Sequence, residues 1–134
     1  MVSGKNRFVD EKAELRYKVP ADFPKPQHFG AVAGVQDKLL LTEWNGRYYV
    51  PGQTPPELYS RWDVCEDLAV KFAKRALESK NTNRAHMSEV EVLAQYLPRL
   101  IEKDWTSEQE AKWVMRRAAD ILGWPWPPNA LKED

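Results

Sequence analysis

The sequence predicts a small α+β domain. Three observations carry that expectation: an Asn45-Gly46 pair between two β-forming runs, an alternating segment near the start, and three amphipathic stretches with capping signals in the second half. Asn-Gly supplies the two positive φ angles of a type I′ turn, the strongest short-range hairpin signal. With 134 residues, 43% hydrophobic and 30% charged, the chain is expected to form a single domain, 1–134, with a core of its own.

In chain order, the polar lead-in 1–11 is expected to fray. Ala13, Leu15, Tyr17 and Val19 then alternate with Glu14, Arg16 and Lys18, the period of a half-buried strand over about 13–19. Pro20, Pro24 and Pro26 force an extended connector. The apolar run from Lys38 to Trp44, the Asn45-Gly46 turn and the return Arg47-Tyr48-Tyr49-Val50 predict an antiparallel hairpin over about 38–50. Pro51-Gly52 and Pro55-Pro56 read as its end and as a passage to the helical half.

Asp63 with Glu66 reads as a capping box opening a helix over about 64–79, whose apolar face carries Val64, Leu68, Ala69, Phe72, Ala73 and Ala76. Ser88 with Glu91 repeats the signal for a helix over about 89–103, which Pro98 is expected to kink or divide. Thr106 with Gln109 reads as the cap of a third helix, about 107–122, stopped by Gly123. Trp124-Pro125-Trp126-Pro127-Pro128 cannot be helical and predicts an extended Trp/Pro-rich strap over 124–134. The expected architecture is therefore a small antiparallel sheet, the hairpin plus the early strand, packed on a cluster of three helices.

Composition limits the function classes. Lys+Arg and Asp+Glu both number 20, so no global field draws the chain to nucleic acid or to an anionic membrane, although a local patch is compatible with a zero total. One cysteine, Cys65, excludes an internal disulfide and a cysteine-based zinc site, and suits a reducing, cytoplasmic setting. His28 and His86 lack partners at metal-ligand spacing, so no metal is expected. No signal-type or membrane-spanning apolar run is present. Carboxylates gather in first turns of the expected helices, where they serve capping and the dipole. No nucleophile, base and oxyanion set can be assembled, so no catalysis is expected. Cys65 falls in the expected first turn of a helix and reads as a buried structural thiol.

Aromatic and arginine residues supply candidate contact points, since both are enriched at interface centres. Trp44, Tyr48 and Trp62 stand in the first half, Trp113, Arg116 and Arg117 on the third helix, and Trp124 and Trp126 in the strap. Trp113 falls off the apolar stripe, which leaves two readings: an exposed ring on a contact surface, or a ring covered by the strap. Lys71, Lys74 and Arg75 read as a solvated helix face; with Lys80, Arg84, Arg116 and Arg117 they are the set a nucleic-acid reading would use.

The loop Val32-Ala33-Gly34-Val35-Gln36-Asp37-Lys38 is a small-residue turn of the kind that can cradle phosphate. The run AVAGVQDKLLL, then GRYYVPGQTP, then a helix with Glu66, Ala73 and Lys74, resembles the N-terminal lobe of HipA-type serine/threonine kinases. The resemblance covers about Phe29 to Lys74. It implies that Ala33, Gly34, Gln36 and Lys38 match a loop lying over a nucleotide, Thr54 and Pro55 a T-P segment, Arg61 a nucleotide-contacting lysine and Glu66 the helix acid. The chain departs from that family where chemistry is done. Ala31 stands at the position of the loop serine, arginine presents a fork rather than a point charge, and no His-x-Asp loop or metal-binding Asp occurs between Ser79 and Asp134.

The functional expectation is a non-catalytic protein-binding or regulatory module, of the kind a mobile element or defence system uses against a larger protein. One alternative is a kinase-like remnant that binds ATP through Ala33, Gly34, Gln36, Lys38 and Arg61 without phosphoryl transfer. The other is nucleic-acid binding, which the zero net charge disfavours.

Overall fold

The computed structural model describes residues 9–26 and 41–131. Within them the chain is α+β: helix α1 (Glu11–Arg16), strands β1 (Thr42–Trp44) and β2 (Arg47–Tyr49), then helices α2 (Pro55–Lys80), α3 (Glu89–Ala94), α4 (Tyr96–Lys103) and α5 (Glu108–Leu122), closed by a 3₁₀ turn, Pro128–Ala130. Two compact units divide it, Met1–Trp62 and Asp63–Asp134.

In the first unit the expected hairpin is present over Thr42–Tyr49 with the expected turn, while residues 38–40 of its expected span lie outside the described residues. Asn45 (φ 53°) and Gly46 (φ 79°) both adopt positive φ, and Thr42, Glu43 and Trp44 oppose Tyr49, Tyr48 and Arg47. Val50, Pro51, Gly52 and Gln53 form a second turn, closed by the Gln53 amide on the Val50 carbonyl at 2.9 Å, with Gly52 at φ 86°. Only glycine takes that φ without strain.

The expected strand at 13–19 is a helix instead. Residues 11–16, EKAELR, are mostly good helix formers. The Asp10 carboxylate caps them, accepting from the amides of Lys12 (3.1 Å) and Ala13 (3.4 Å). The alternation does not track burial, since Leu15 is 67% exposed while Glu14 is half-buried. The hairpin holds α1 through its turn. The Asp10 amide donates to Asn45 Oδ1 at 3.0 Å, Asn45 Nδ2 donates to the Asp10 carbonyl at 3.1 Å and to Glu14 Oε2 at 3.2 Å, and Arg47 Nε donates to the same Glu14 oxygen at 3.0 Å. Burial, and then the Glu14 charge, push the nearby Tyr49 phenol above its ordinary range, against the lowering influence of Arg47.

Helix α2 begins at Pro55, well before the expected 64, and its cap is Thr54 rather than Asp63. The Thr54 amide donates to Glu57 Oε1 at 3.1 Å and its hydroxyl to the same oxygen at 2.6 Å, a reciprocal box with the Glu57 amide on Thr54 Oγ1 at 3.4 Å. Pro55 and Pro56 look like breakers, yet first-turn amides have no helical acceptor, so prolines cost nothing there. Cys65, buried as expected, therefore lies mid-helix and away from the helix terminus.

In the second unit α2 turns a face of small residues inward: Cys65, Ala69, Ala73, Ala76 and Ser79 are buried, at spacings of four, four, three and three. Val64, expected in the core, is 42% exposed. The larger Leu68 and Phe72 sit half-buried along the edge of that face. Ser88 and Glu91 form the expected capping box of α3. The expected helix over 89–103 is divided at Gln95 into α3 and α4, because Pro98 has no N–H for the Ala94 carbonyl.

Helix α5 is capped by Ser107 with Glu110, one residue later than Thr106 with Gln109. It stops at Gly123 (φ 73°) as expected, with the Trp124 amide on the Ala119 carbonyl (2.9 Å) and the Gly123 amide on that of Asp120 (3.2 Å), a Schellman pair. From Glu110 to Arg116 and at Ala118–Ala119 α5 is buried all round, rather than along one stripe, while Ile121 is 41% exposed. Part of its cover is the tail, with Pro127 and Ala130 buried and the 3₁₀ turn lying against α5 and α3. Among the described residues no helix is long and apolar enough to cross a membrane.

Candidate functional site

The sequence-nominated contact residues divide between the two units, and most of them are engaged in the packing of their own unit. In the first unit, Trp44 meets Tyr17 edge to face at 5.7 Å, Tyr17 meets Tyr59 at 5.7 Å, and Tyr59 meets Trp62 at 5.3 Å. Trp44 and Trp62 are thus the two ends of a run of four rings, half-buried in their own unit. Tyr48 is 67% exposed.

In the second unit, Trp113 is buried, 2% exposed, so the reading of it as an exposed contact ring is replaced by a core role. Spacing put it off the stripe because α5 has no outer face at that level. Arg116 is buried as well, its Nη1 donating to the Ala130 carbonyl at 2.6 Å and its guanidinium 5.7 Å from the Trp126 ring. Trp126 Nε1 donates to Asp120 Oδ1 at 2.8 Å, and Trp124 is half-buried, so the Trp/Pro segment is a strap on its own unit. Arg117 forks onto Glu66 of α2, with Nε at 2.9 and 3.2 Å from the two carboxylate oxygens and Nη2 at 3.0 Å. Glu66, the helix acid of the kinase resemblance, is engaged there.

The nucleotide set Ala33, Gly34, Gln36 and Lys38 lies outside the described residues. Arg61 stands on α2, and Thr54 of the T-P segment is the helix cap. Among the described residues no three His, Cys, Asp or Glu side chains group as metal ligands. Four members of the nucleic-acid set are engaged by neighbouring groups. Arg84 is held by Gln95 Oε1 (3.1 Å) and Ser79 Oγ (3.3 Å), Lys80 by the Ala85 carbonyl (3.2 Å), and Arg116 and Arg117 as above.

Lys71, Lys74 and Arg75 have a different setting. They form one bank of a cleft of about 490 Å³ between α2 and α4, with Arg99 and Lys103 on the other. Leu68 and Phe72 of α2 and Leu100 of α4 make its apolar lining, and Phe72 packs on Tyr96 with ring centres 5.4 Å apart. The hydroxyls of Ser79 and Tyr96, 3.2 Å apart, tie the end of α2 to the start of α4. Trp105, just past α4, completes the lining and is 57% exposed, with Lys103 Nζ 5.4 Å from its ring centre. Asp104, left-handed at φ 59°, turns the chain there.

The cleft arises because the inward face of α2 is alanine and cysteine while its larger apolar residues flank that face. Sequence reasoning nominated neither Trp105, Arg99 nor Lys103. The available signal was the Lys103-Asp104-Trp105 run at a helix end, a cation and a large ring where a core helix would stop on a small or polar residue.

No protein-family model matches the chain, and no solved structure matches it. Among curated proteins it is similar to 3-hydroxyanthranilate 3,4-dioxygenase of Bos taurus, 34% identical over 73 residues, which are 52% of this chain and 26% of that protein. The chain spans about a quarter of the length of that relative, and the similarity assigns it to no family.

Proposed function

We propose that the chain is a non-catalytic binding module that docks a larger protein, and that its contact surface is the cleft between α2 and α4. The observation that carries this reading is the pairing of an apolar lining with an exposed tryptophan at its edge: the half-buried Leu68 and Phe72 beside Trp105, 57% exposed. Apolar hollows rimmed by polar groups mark contact sites, and tryptophan is enriched among the anchors in them. Cations on both banks leave the apolar strip between them as the place where a partner side chain loses its water.

Quantitative affinity capture tests it, using wild type, Trp105→Ala/Lys103→Glu and, as a control remote in sequence, Tyr48→Ala. The reading expects one protein bound by wild type and by Tyr48→Ala, and lost from the Trp105→Ala/Lys103→Glu variant. Equal capture by all three, or none by any, rejects the cleft as the docking surface.

A further inference from the structure

Resting on that reading of the cleft, we infer that the segment it takes is an acidic, amphipathic helix of the partner. The first argument is sign. Five cationic side chains, Lys71, Lys74 and Arg75 from α2 and Arg99 and Lys103 from α4, line the cleft against one carboxylate, Glu78. The chain as a whole is neutral, so this excess is local and fixed by the two helices. Lys71 pairs with Asp67 at 3.1 Å, but the two side chains keep 72% and 64% of their exposure, and so open a pair is easily exchanged for a partner carboxylate.

The second argument is shape. From Leu68 to Glu78 the α2 bank rises about 15 Å, and from Tyr96 to Lys103 the α4 bank about 10 Å, at 1.5 Å per residue. That length matches two to three turns of a third helix laid between the banks, with anchors at i, i+4 and i+7 that together span about 10 Å. Leu68, Phe72 and Trp105 receive those anchors, over the buried Leu100. Carboxylates on the flanks of the same helix meet Lys74 and Arg75 on one side and Arg99 and Lys103 on the other. Opposite charge on both flanks also rejects a basic helix of the same apolar pattern. The apolar lining argues against nucleic acid, whose phosphates would meet Leu68 and Phe72 as readily as the cations.

The test is selection of random 16-residue peptides against the whole chain, followed by anisotropy titration of the selected peptides. The expected pool carries an excess of Asp and Glu with apolar residues at i, i+4 and i+7, and gains helical circular dichroism on binding. Lys74→Glu/Arg75→Glu, exposed positions outside the core, should weaken binding about tenfold, and raising salt from about 0.1 to about 0.5 M should weaken it several-fold. Exchanging for lysine the peptide carboxylates that face α2, while keeping those that face Arg99 and Lys103, should restore binding to that variant. A neutral or basic pool that is still lost in Trp105→Ala keeps the docking surface and overturns the acidic helix. Peptides indifferent to both Trp105→Ala and Lys74→Glu/Arg75→Glu overturn both readings. An oligonucleotide that displaces the peptides and binds more tightly than they do also overturns the inference.

Discussion

The side-chain amide of Asn129 donates to the carbonyl of Ala94 at 3.0 Å, and the reason that carbonyl is free lies four residues further on, at Pro98. In an unbroken helix Ala94 would accept from residue 98, and proline has nothing to donate. The tail thus supplies the bond that the α3–α4 break withholds. Asn129→Ala should cost about 0.5–1 kcal/mol in urea unfolding, at the low end because the site is open to water. With Pro98→Ala in place, residue 98 regains its N–H and the cost of Asn129→Ala should shrink; additive losses would reject this account.

Arg117 and Glu66 meet as a fork on a carboxylate, with three contacts between 2.9 and 3.2 Å. The pair is only part-buried, 41% and 24% exposed on its two sides. Solvent therefore screens it, and a double-mutant cycle with Arg117→Ala and Glu66→Ala should give a coupling of about 1 kcal/mol. Arg117→Lys should recover less than half of it, because a lysine cannot span both oxygens.

Ser107 accepts from the Glu110 amide at 3.1 Å while Glu110 Oε1 accepts from the Ser107 amide at 2.9 Å. Ser107→Ala should lower stability by about 1 kcal/mol, whereas Ser107→Asn should come within a few tenths of wild type. Thermal melts of the three proteins separate a capping role from one in packing, which Asn would not rescue.

The Glu91 carboxyl is held below its ordinary value of 4.5, first by the backbone amide of Ser88 and then by its hydroxyl, against a small opposing effect of burial and with help from His86. A depressed native value favours folding above the ordinary glutamate range, and that advantage is lost as pH falls through the depressed value. The stability difference between wild type and Glu91→Gln should therefore be largest near neutrality and close in acid. A difference that stays constant to the foot of the acid limb would rule the linkage out.

The features legible in the sequence are those fixed within a few residues. Asn45-Gly46 demands positive φ wherever it sits, Ser88 with Glu91 closes on itself, and Gly123 stops α5 by its own freedom. Misreadings arise where a local signal admits two outcomes. Alternation at Ala13, Leu15 and Tyr17 becomes a strand only with a partner strand, and Asp10 offered the six residues after it a capped helix first. Pro55-Pro56 signals both a helix end and a helix start, and Thr54 decides which. At Trp113 and Arg116 the polar side of a helical wheel points to the outside, but α5 is buried all round at that level, and at Arg116 the tail supplies part of the cover. The cleft was hardest to see: Lys71, Lys74 and Arg75 become a bank only once α4 lies opposite, and no spacing along α2 announces its neighbour.

The reciprocal amide pair between Asp10 and Asn45 gives the hairpin tip a second vocabulary. A substitution table built on turn geometry would treat Asn, Asp and Gly at position 45 as near synonyms, since all three tolerate positive φ. Here they are not. The side chain must accept from the Asp10 amide on one atom and donate to the Asp10 carbonyl and to Glu14 on the other. Aspartate would turn a lone-pair oxygen on both of those acceptors, and glycine would offer nothing. Anyone transplanting this hairpin, or shortening the chain ahead of α1, inherits a one-letter alphabet at that site, written by a residue 35 positions away.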